Sequence, residues 1–337
     1  MKHFIKNIFV LTIVMISAFA FEQMVRADNN YFSVTPVLPE NQKSKDSSFF
    51  DLKVVPNQKQ HLQINVTNHT ATAQKYKISI NTATTNQNGI IDYSLEDFEK
   101  DSSMKISLKD CLSLKESQVE IAANSEKEII FDLNTPSEPF EGVLLGGITV
   151  EPIITANDNE GIHNIFTRTI AIQLTETENK VVPEVKAGEI TVTQINLRNH
   201  IQMELRNVTP TVISKVKAVI RITKKGEKQP IIEQNKERLS FAPNSKFHLI
   251  TQWQEQFESG SYVYSIELAD SSGHQWHFTK EFEIKEKAAK KLNATSVDEK
   301  KNNEINLLFY LIGLFLLAVV LLGGILYKKR NSKKTKN

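Results

Sequence analysis

Cysteine is all but missing: Cys111 stands alone in 337 residues. One thiol cannot close an internal disulfide, so any extracellular fold here must be stable without one. Secreted animal β-domains commonly use such bridges, and their absence points instead to a Gram-positive bacterial surface. Net charge is also scarce, at a formal +2, and much of the basicity sits at the C-terminal end. A nucleic-acid partner is not implied. Catalytic signatures are missing as well. The chain holds no Gly-x-Ser-x-Gly, no His-Glu-x-x-His and no P-loop, which removes the commonest sequence marks of hydrolases, zinc peptidases and nucleotide enzymes.

Long apolar runs are confined to the two ends. Lys2 and Lys6 precede an almost wholly apolar stretch from Ile8 to Phe21, and Val25-Arg26-Ala27 supplies small residues for a signal peptidase. Residues 1–27 are therefore expected to be an export signal cleaved after Ala27. The second run, Leu307 to Tyr327, has about the 20 residues that cross a bilayer as a helix. Lys328, Lys329, Arg330, Lys333, Lys334 and Lys336 follow it. The positive-inside rule then predicts one transmembrane helix over 305–327, a cytoplasmic basic tail over 328–337, and the bulk of the chain outside. No Leu-Pro-x-Thr-Gly precedes the helix, so covalent attachment to the wall by a sortase is not expected.

Between the ends, apolar and polar residues alternate as in half-buried strands. Leu62, Ile64 and Val66 form one such row, and Tyr76, Ile78 and Ile80, Ile129, Phe131 and Leu133, and Ile170, Ile172 and Leu174 form others. Asn68-His69-Thr70 and Asn88-Gly89 have turn chemistry. Val143 to Ile148 is apolar on both faces, which suits a central strand. The second half repeats this style without repeating the sequence: Ile201, Met203 and Leu205, then Ala218, Ile220 and Ile222, then Phe247, Leu249 and Thr251, then Tyr262, Tyr264, Ile266 and Leu268. The expected fold is all-β: two immunoglobulin-like β-sandwich domains in tandem, over 28–178 and 179–284, plus the C-terminal helix. Residues 285–304 hold lysines and acids with almost no large apolar side chain, and read as a solvated stalk or helical extension.

The candidate chemistry is thin. His274 and His277 flank Trp276, but positions three apart on a strand face opposite ways, so no metal site is expected. Asp158, Glu160 and Gly161 resemble a calcium loop whose first and twelfth positions, Ala156 and Thr167, fail. Glu96, Asp97, Glu99 and Asp101 could supply an acid/base pair, yet they lie in a polar stretch that reads as a solvated loop. Cys111 reads as a partly buried thiol. The Asn-x-Thr triplets at Asn65, Asn68, Asn207 and Asn293 match the glycosylation acceptor pattern, and on a bacterial surface read as chance matches, not glycan sites. No catalytic residue, metal or cofactor is expected.

Longer strings carry a resemblance. Phe32-Ser33-Val34-Thr35-Pro36-Val37-Leu38-Pro39-Glu40-Asn41-Gln42 and Phe49-Phe50-Asp51-Leu52-Lys53-Val54-Val55-Pro56 resemble the opening of the WxL-interacting surface proteins of Gram-positive bacteria. Asn88 to Tyr93 and Phe140 to Ile148 resemble two more signatures of that first domain, and Phe241 to Phe247, Gly260-Ser261-Tyr262 and Trp276-His277-Phe278 resemble the second. The resemblance implies a peptidoglycan-binding module followed by a module for protein partners, among them WxL proteins and host ligands such as a matrix protein. The chain is not itself a WxL protein, because neither Trp253 nor Trp276 has Leu two residues on. The implied role is a cell-surface adaptor held in the membrane by one helix. An adhesin and a wall-modifying enzyme are the alternatives. For the glycan, Tyr93 is the candidate stacking ring and Asn88 and Asp92 the candidate hydrogen-bond partners; no residue is singled out for the protein partner.

Overall fold

The computed structural model describes residues 31–154, 165–298 and 314–315. The expected export signal, the loop with Asp158, Glu160 and Gly161, and the basic tail lie outside them. So does the expected membrane helix, apart from Leu314 and Phe315. Among the described residues no helix is long and apolar enough to cross a membrane.

The chain is predominantly β and divides into two compact units that interleave in sequence. The first holds the described residues to Asn81, then Lys109–Pro139 and Gly146–Leu174. The second holds Thr82–Leu108, Phe140–Leu145 and the described residues from Thr175 on.

In the first unit, β1 (Phe32–Val37), β3 (Lys59–Asn68), β9 (Glu126–Asn134) and β7 (Leu112–Leu114) form one sheet in that order. The other sheet runs β2 (Phe50–Lys53), β11 (Arg168–Thr175), β10 (Leu144–Pro152), β4 (Gln74–Thr82) and β8 (Gln118–Ile121). The alternation seen in sequence becomes burial. Leu62, Ile64 and Val66 of β3 point into the core, and so do Tyr76 and Ile78 of β4. Phe32 of one sheet meets Tyr76 of the other with ring centroids 5.1 Å apart, which shows the sheets face to face. The run Val143 to Ile148 opens β10, an interior strand buried on both faces from Leu144 to Val150, as its lack of alternation predicts.

The second unit repeats the plan with fewer strands. One sheet is β12 (Val185–Ile195), β13 (Arg198–Asn207) and β16 (Ser245–Gln252). The other is β15 (Pro230–Phe241), β14 (Ile213–Lys224), β17 (Gly260–Ala269) and β18 (Gln275–Ile284). All of these ladders are antiparallel. Ile201, Met203 and Leu205 from the first sheet and Ile220, Ile222, Ile266 and Leu268 from the second share one core. The Tyr264 hydroxyl lies in that core 2.8 Å from the hydroxyl of Thr251. Burial pushes its pKa up.

The two halves share no sequence repeat, yet the structure shows a common device at a strand corner. Asn68 ends β3 and Asn207 ends β13, both with no exposed surface. The Asn68 amide donates to the carbonyls of Thr72 (2.8 Å), Ile121 (3.2 Å) and Ala122 (3.0 Å), and its oxygen accepts from the Thr70 N–H (3.0 Å) and hydroxyl (2.8 Å). Asn207 donates to Thr211 (2.7 Å) and Ala242 (2.9 Å), and accepts from the Thr209 N–H (3.2 Å) and hydroxyl (2.7 Å). The partner turns, Ile121-Ala122-Ala123-Asn124-Ser125 and Phe241-Ala242-Pro243-Asn244-Ser245, each place their asparagine at left-handed φ, +49° and +48°. Asparagine tolerates that region better than other side-chain-bearing residues. These two Asn-x-Thr triplets are therefore a structural device used twice.

A single helical turn, α1 (Leu108–Cys111), and a longer helix, α2 (Glu286–Asn293), accompany these strands. The stretch read as a stalk is folded as far as it is described. Ala289 of α2 is buried in the second core and Leu292 packs against it. Asn293 brackets Phe257, accepting from its N–H at 2.8 Å and donating to its carbonyl at 2.9 Å. Beyond the helix, the Asp298 carboxylate accepts the Asn199 N–H at 2.6 Å and pairs with Arg198 at 3.2 Å. Mostly small and polar residues suffice here because the contacts are Ala289, Leu292 and a set of hydrogen bonds.

Candidate functional site

The segment that carries Asn88, Asp92 and Tyr93 is a hairpin of the second unit. Its strands β5 (Thr84–Thr85) and β6 (Ile91–Asp92) pair antiparallel. Asn86 makes the turn: its carbonyl accepts the Gly89 N–H at 2.9 Å, and its side-chain oxygen accepts from Asn88 at 3.0 Å and Ile90 at 3.2 Å. Gly89 sits at φ +75°, and a Cβ there would lie 3.1 Å from Leu239 Cδ2. Glycine thus answers both a backbone and a space requirement.

The three glycan candidates have different surroundings. Asn88 is exposed at the hairpin tip. Asp92 is half-buried, and its carboxylate accepts the Ser94 N–H at 2.8 Å. The Tyr93 ring is half-buried against a small apolar cluster of Ala83, Leu145 and Ala242, and burial raises its hydroxyl pKa.

What the sequence did not announce is that the hairpin clips across the turn joining β15 to β16. On one side the Gly89 carbonyl accepts the Ser240 N–H at 2.8 Å. On the other the Gln87 carbonyl accepts the Ile250 N–H at 3.1 Å. Between them the Thr85 hydroxyl accepts the Ala242 N–H at 2.9 Å and meets the Ser245 hydroxyl at 2.8 Å. Backbone donors at two sheet edges are thereby satisfied.

Two carboxylates of the acidic cluster, Glu99 and Asp101, fasten this segment. Asp101, almost fully buried, receives the Arg206 guanidinium at 2.5 and 3.0 Å and the Ser103 N–H and hydroxyl at 2.8 and 2.7 Å. Burial by itself would raise the carboxyl pKa, but the bidentate arginine and the two serine bonds outweigh it and hold it at about 2. Glu99 pairs with Lys246, and Asn244 reaches the Ser103 hydroxyl at 3.0 Å. A second strap, Phe140–Leu145, is held where the Val143 N–H donates to the Pro210 carbonyl at 2.8 Å. At Gly142, φ +71°, any Cβ would fall 2.0 Å from that same oxygen.

The remaining candidates do not assemble. His274 bonds Asp270 at 2.8 Å and stacks on Trp276, while His277 lies beside Thr279. Cys111 is buried. Among the described residues no group of three or more His, Cys, Asp or Glu side chains could hold a metal ion. A cleft of about 330 Å³ lies between Lys224, Ile231, Gln254 and Tyr262. Its aromatic polar groups are occupied: Trp253 Nε1 donates to the Gln256 carbonyl at 3.3 Å and the Tyr262 hydroxyl to the Glu258 carbonyl at 2.9 Å.

Residues 32–152 match the family model described as WxL Interacting Protein, peptidoglycan binding domain, and residues 157–294 match WxL Interacting Protein, host binding domain. The chain belongs to the WxL-interacting proteins. In this WxL-interacting protein the matches run in the order of a peptidoglycan-binding part followed by a host- or partner-binding part, and the matched families are binding domains. The hairpin lies inside the first match, yet its contacts described above are made within the second unit. No curated protein matches the chain.

Solved structures that resemble it are distant. The class 5 fimbriae chaperone CfaA is 13% identical, with 74% of this chain and 98% of that one covered at a TM-score of 0.30. The Pseudomonas aeruginosa CupB2 chaperone is 13% identical, with 65% and 91% covered at 0.28. The E. coli chaperone DraB is 14% identical, with 66% and 89% covered at 0.26. Likeness at that level says nothing about function.

Proposed function

We propose that this WxL-interacting protein is a non-catalytic adaptor of the Gram-positive cell surface. In this reading the part of the chain over 28–178, including the hairpin that packs in the second unit, holds peptidoglycan, and the part over 179–284 holds an exported WxL protein, each part built on an immunoglobulin-like sandwich. The helix over 305–327 ties the assembly to the membrane with its C-terminus inside. The observation that carries the reading is the pair of consecutive binding-domain matches behind an N-terminal stretch with export-signal chemistry.

At residue level the glycan reading assigns contact to Asn88, which is exposed at its tip, and to the accessible parts of Asp92 and Tyr93. Asp92 and Tyr93 also hold the hairpin's shape through the Ser94 bond and the packing on Ala83. Sedimentation of the full chain with insoluble wall sacculi tests this. Asn88→Ala is expected to lower the bound fraction several-fold at unchanged melting temperature, and an unaltered bound fraction would reject Asn88 as a contact. Partner capture is tested by mixing the chain with an exported protein bearing Trp-x-Leu motifs; no complex at micromolar concentration would overturn that half.

A second reading, host adhesion, is favoured by the match of residues 157–294 to a host binding domain. A solid-phase assay on collagen or fibrinogen separates it from scaffolding alone.

A further inference from the structure

The two units share a strand order, and the second lacks a strand that the first has. In the first, the sheet reads β8-β4-β10-β11-β2; in the second it reads β15-β14-β17-β18 and stops. The place beside β11 is taken by β2, whose Phe50 and Leu52 have no exposed surface. With that neighbour, Ile170, Ile172 and Leu174 of β11 are all buried. Among the described residues no strand is hydrogen-bonded in the matching place beside β18, although β12 of the facing sheet comes near it, because β12 turns directly into β13 where the first unit inserts β2 between β1 and β3. The core-facing row of β18 is correspondingly only half-buried, and it is made of large aromatics: Trp276, Phe278 and Phe282.

The other edges of this unit are less available. The hairpin already takes backbone donors of β15 and β16 at Ser240 and Ile250. Strand β12 carries a register shift between Ala187 and Ile190, and bulges interrupt strand addition. By contrast β18 pairs with β17 in unbroken register over its whole length, from Gly260↔Ile284 to Ala269↔Gln275. Such an edge presents a row of backbone N–H and C=O groups ready for another strand.

One side chain specifies the occupant. Lys280 pairs across the ladder with fully buried Tyr264, so it lies on the core face, in the same row as Phe278 and Phe282 on either side. It has no ion-pair partner among the described residues. An ammonium set in an apolar row calls for a carboxylate.

We propose that the outer edge of β18 accepts an extended segment donated by a partner protein, in the place β2 fills in the first unit. That segment carries an acidic residue for Lys280, flanked two positions away on each side by apolar residues that cover the aromatic row. This inference rests on the partner-capture reading and names its site and the chemistry of its ligand.

The test uses the full chain in detergent micelles and the synthetic peptide Leu-Thr-Val-Thr-Glu-Thr-Val-Thr-Leu, beside a version with Lys for Glu. The glutamate peptide is expected to slow amide exchange along β18 and, in a Trp253→Phe background, to shift Trp276 fluorescence to the blue. Lys280→Glu is expected to weaken it by roughly tenfold or more and to favour the lysine peptide instead. Protection on β12 rather than β18, equal binding of both peptides, or no binding to the unaltered chain overturns the proposal. Should Lys280→Glu fail to fold, exchange protection in the unaltered chain decides. Capture of an exported Trp-x-Leu protein is measured alongside. Undiminished capture by Lys280→Glu, with no protection of β18, overturns the edge and keeps capture. Peptide bound on β18 with no such protein captured keeps the edge and rejects that partner.

Discussion

At Asn68 and Asn207 one buried amide must satisfy several backbone groups at once, and it does so with both of its polar atoms. Loss of either side chain would leave two or more carbonyls without a donor in places water does not reach. Asn68→Ala and Asn207→Ala are each expected to destabilise the chain by about 2–4 kcal/mol, read as lowered urea midpoints. Asp101 makes the same argument with charge. Its carboxyl is held at about 2 against an ordinary value of 3.8, so the folded state binds its proton more weakly than the unfolded one. The stabilisation is therefore complete above roughly pH 4 and disappears as pH falls through 2; it amounts to about 2 kcal/mol. Asp101→Asn should remove that part of the acid dependence, which melting temperatures of both proteins between pH 5 and 2 will show.

Among the elements, the hairpin Thr84–Asp92 is the one whose position sequence patterning did not convey. Its strands are two residues each, too short to hold together in water alone. It is ordered by the edges it covers, and it protects them in return. Thr85 is the pivot, since its hydroxyl serves both Ala242 and Ser245. Thr85→Val keeps the shape and removes those bonds. It is expected to cost about 1–3 kcal/mol and to speed exchange of the Ala242 amide most, with Ser240 and Ile250 following. The helix α2 is a milder case of the same dependence. An exposed Glu286–Lys290 pair at 2.6 Å adds little, and burial of Ala289 together with the Asn293 bracket fixes it. Ala289→Glu should free the segment and expose it to protease.

For the whole molecule, the interleaving of the two units has a consequence for dissection. A fragment of residues 165–298 keeps both sheets of the second unit but loses Thr82–Leu108 and Phe140–Leu145, so the bonds to Ser240, Ala242, Ile250, Arg206 and Pro210 go with them. Such a fragment should melt lower than the second unit does in the intact chain, with fast exchange concentrated at those amides; equal protection would mean the straps contribute nothing. The strands themselves were legible in sequence, because a period of two in Ile201, Met203 and Leu205 or Tyr262, Tyr264 and Ile266 has one physical solution, a sheet with a buried face. The turn at Asn88-Gly89 was legible too, since left-handed φ restricts residue choice locally. So was the membership in a binding family, through long strings such as Phe32 to Gln42. The destination of the hairpin was not legible. Nor were the pairing of Asp101 with Arg206, 105 residues apart, the shared asparagine corner, or the open place beside β18. Periodicity and turn chemistry act between near neighbours and were settled by the chain's own order of residues. Edge closure and buried-charge pairing join residues far apart in sequence, and only the packed sheets bring those together.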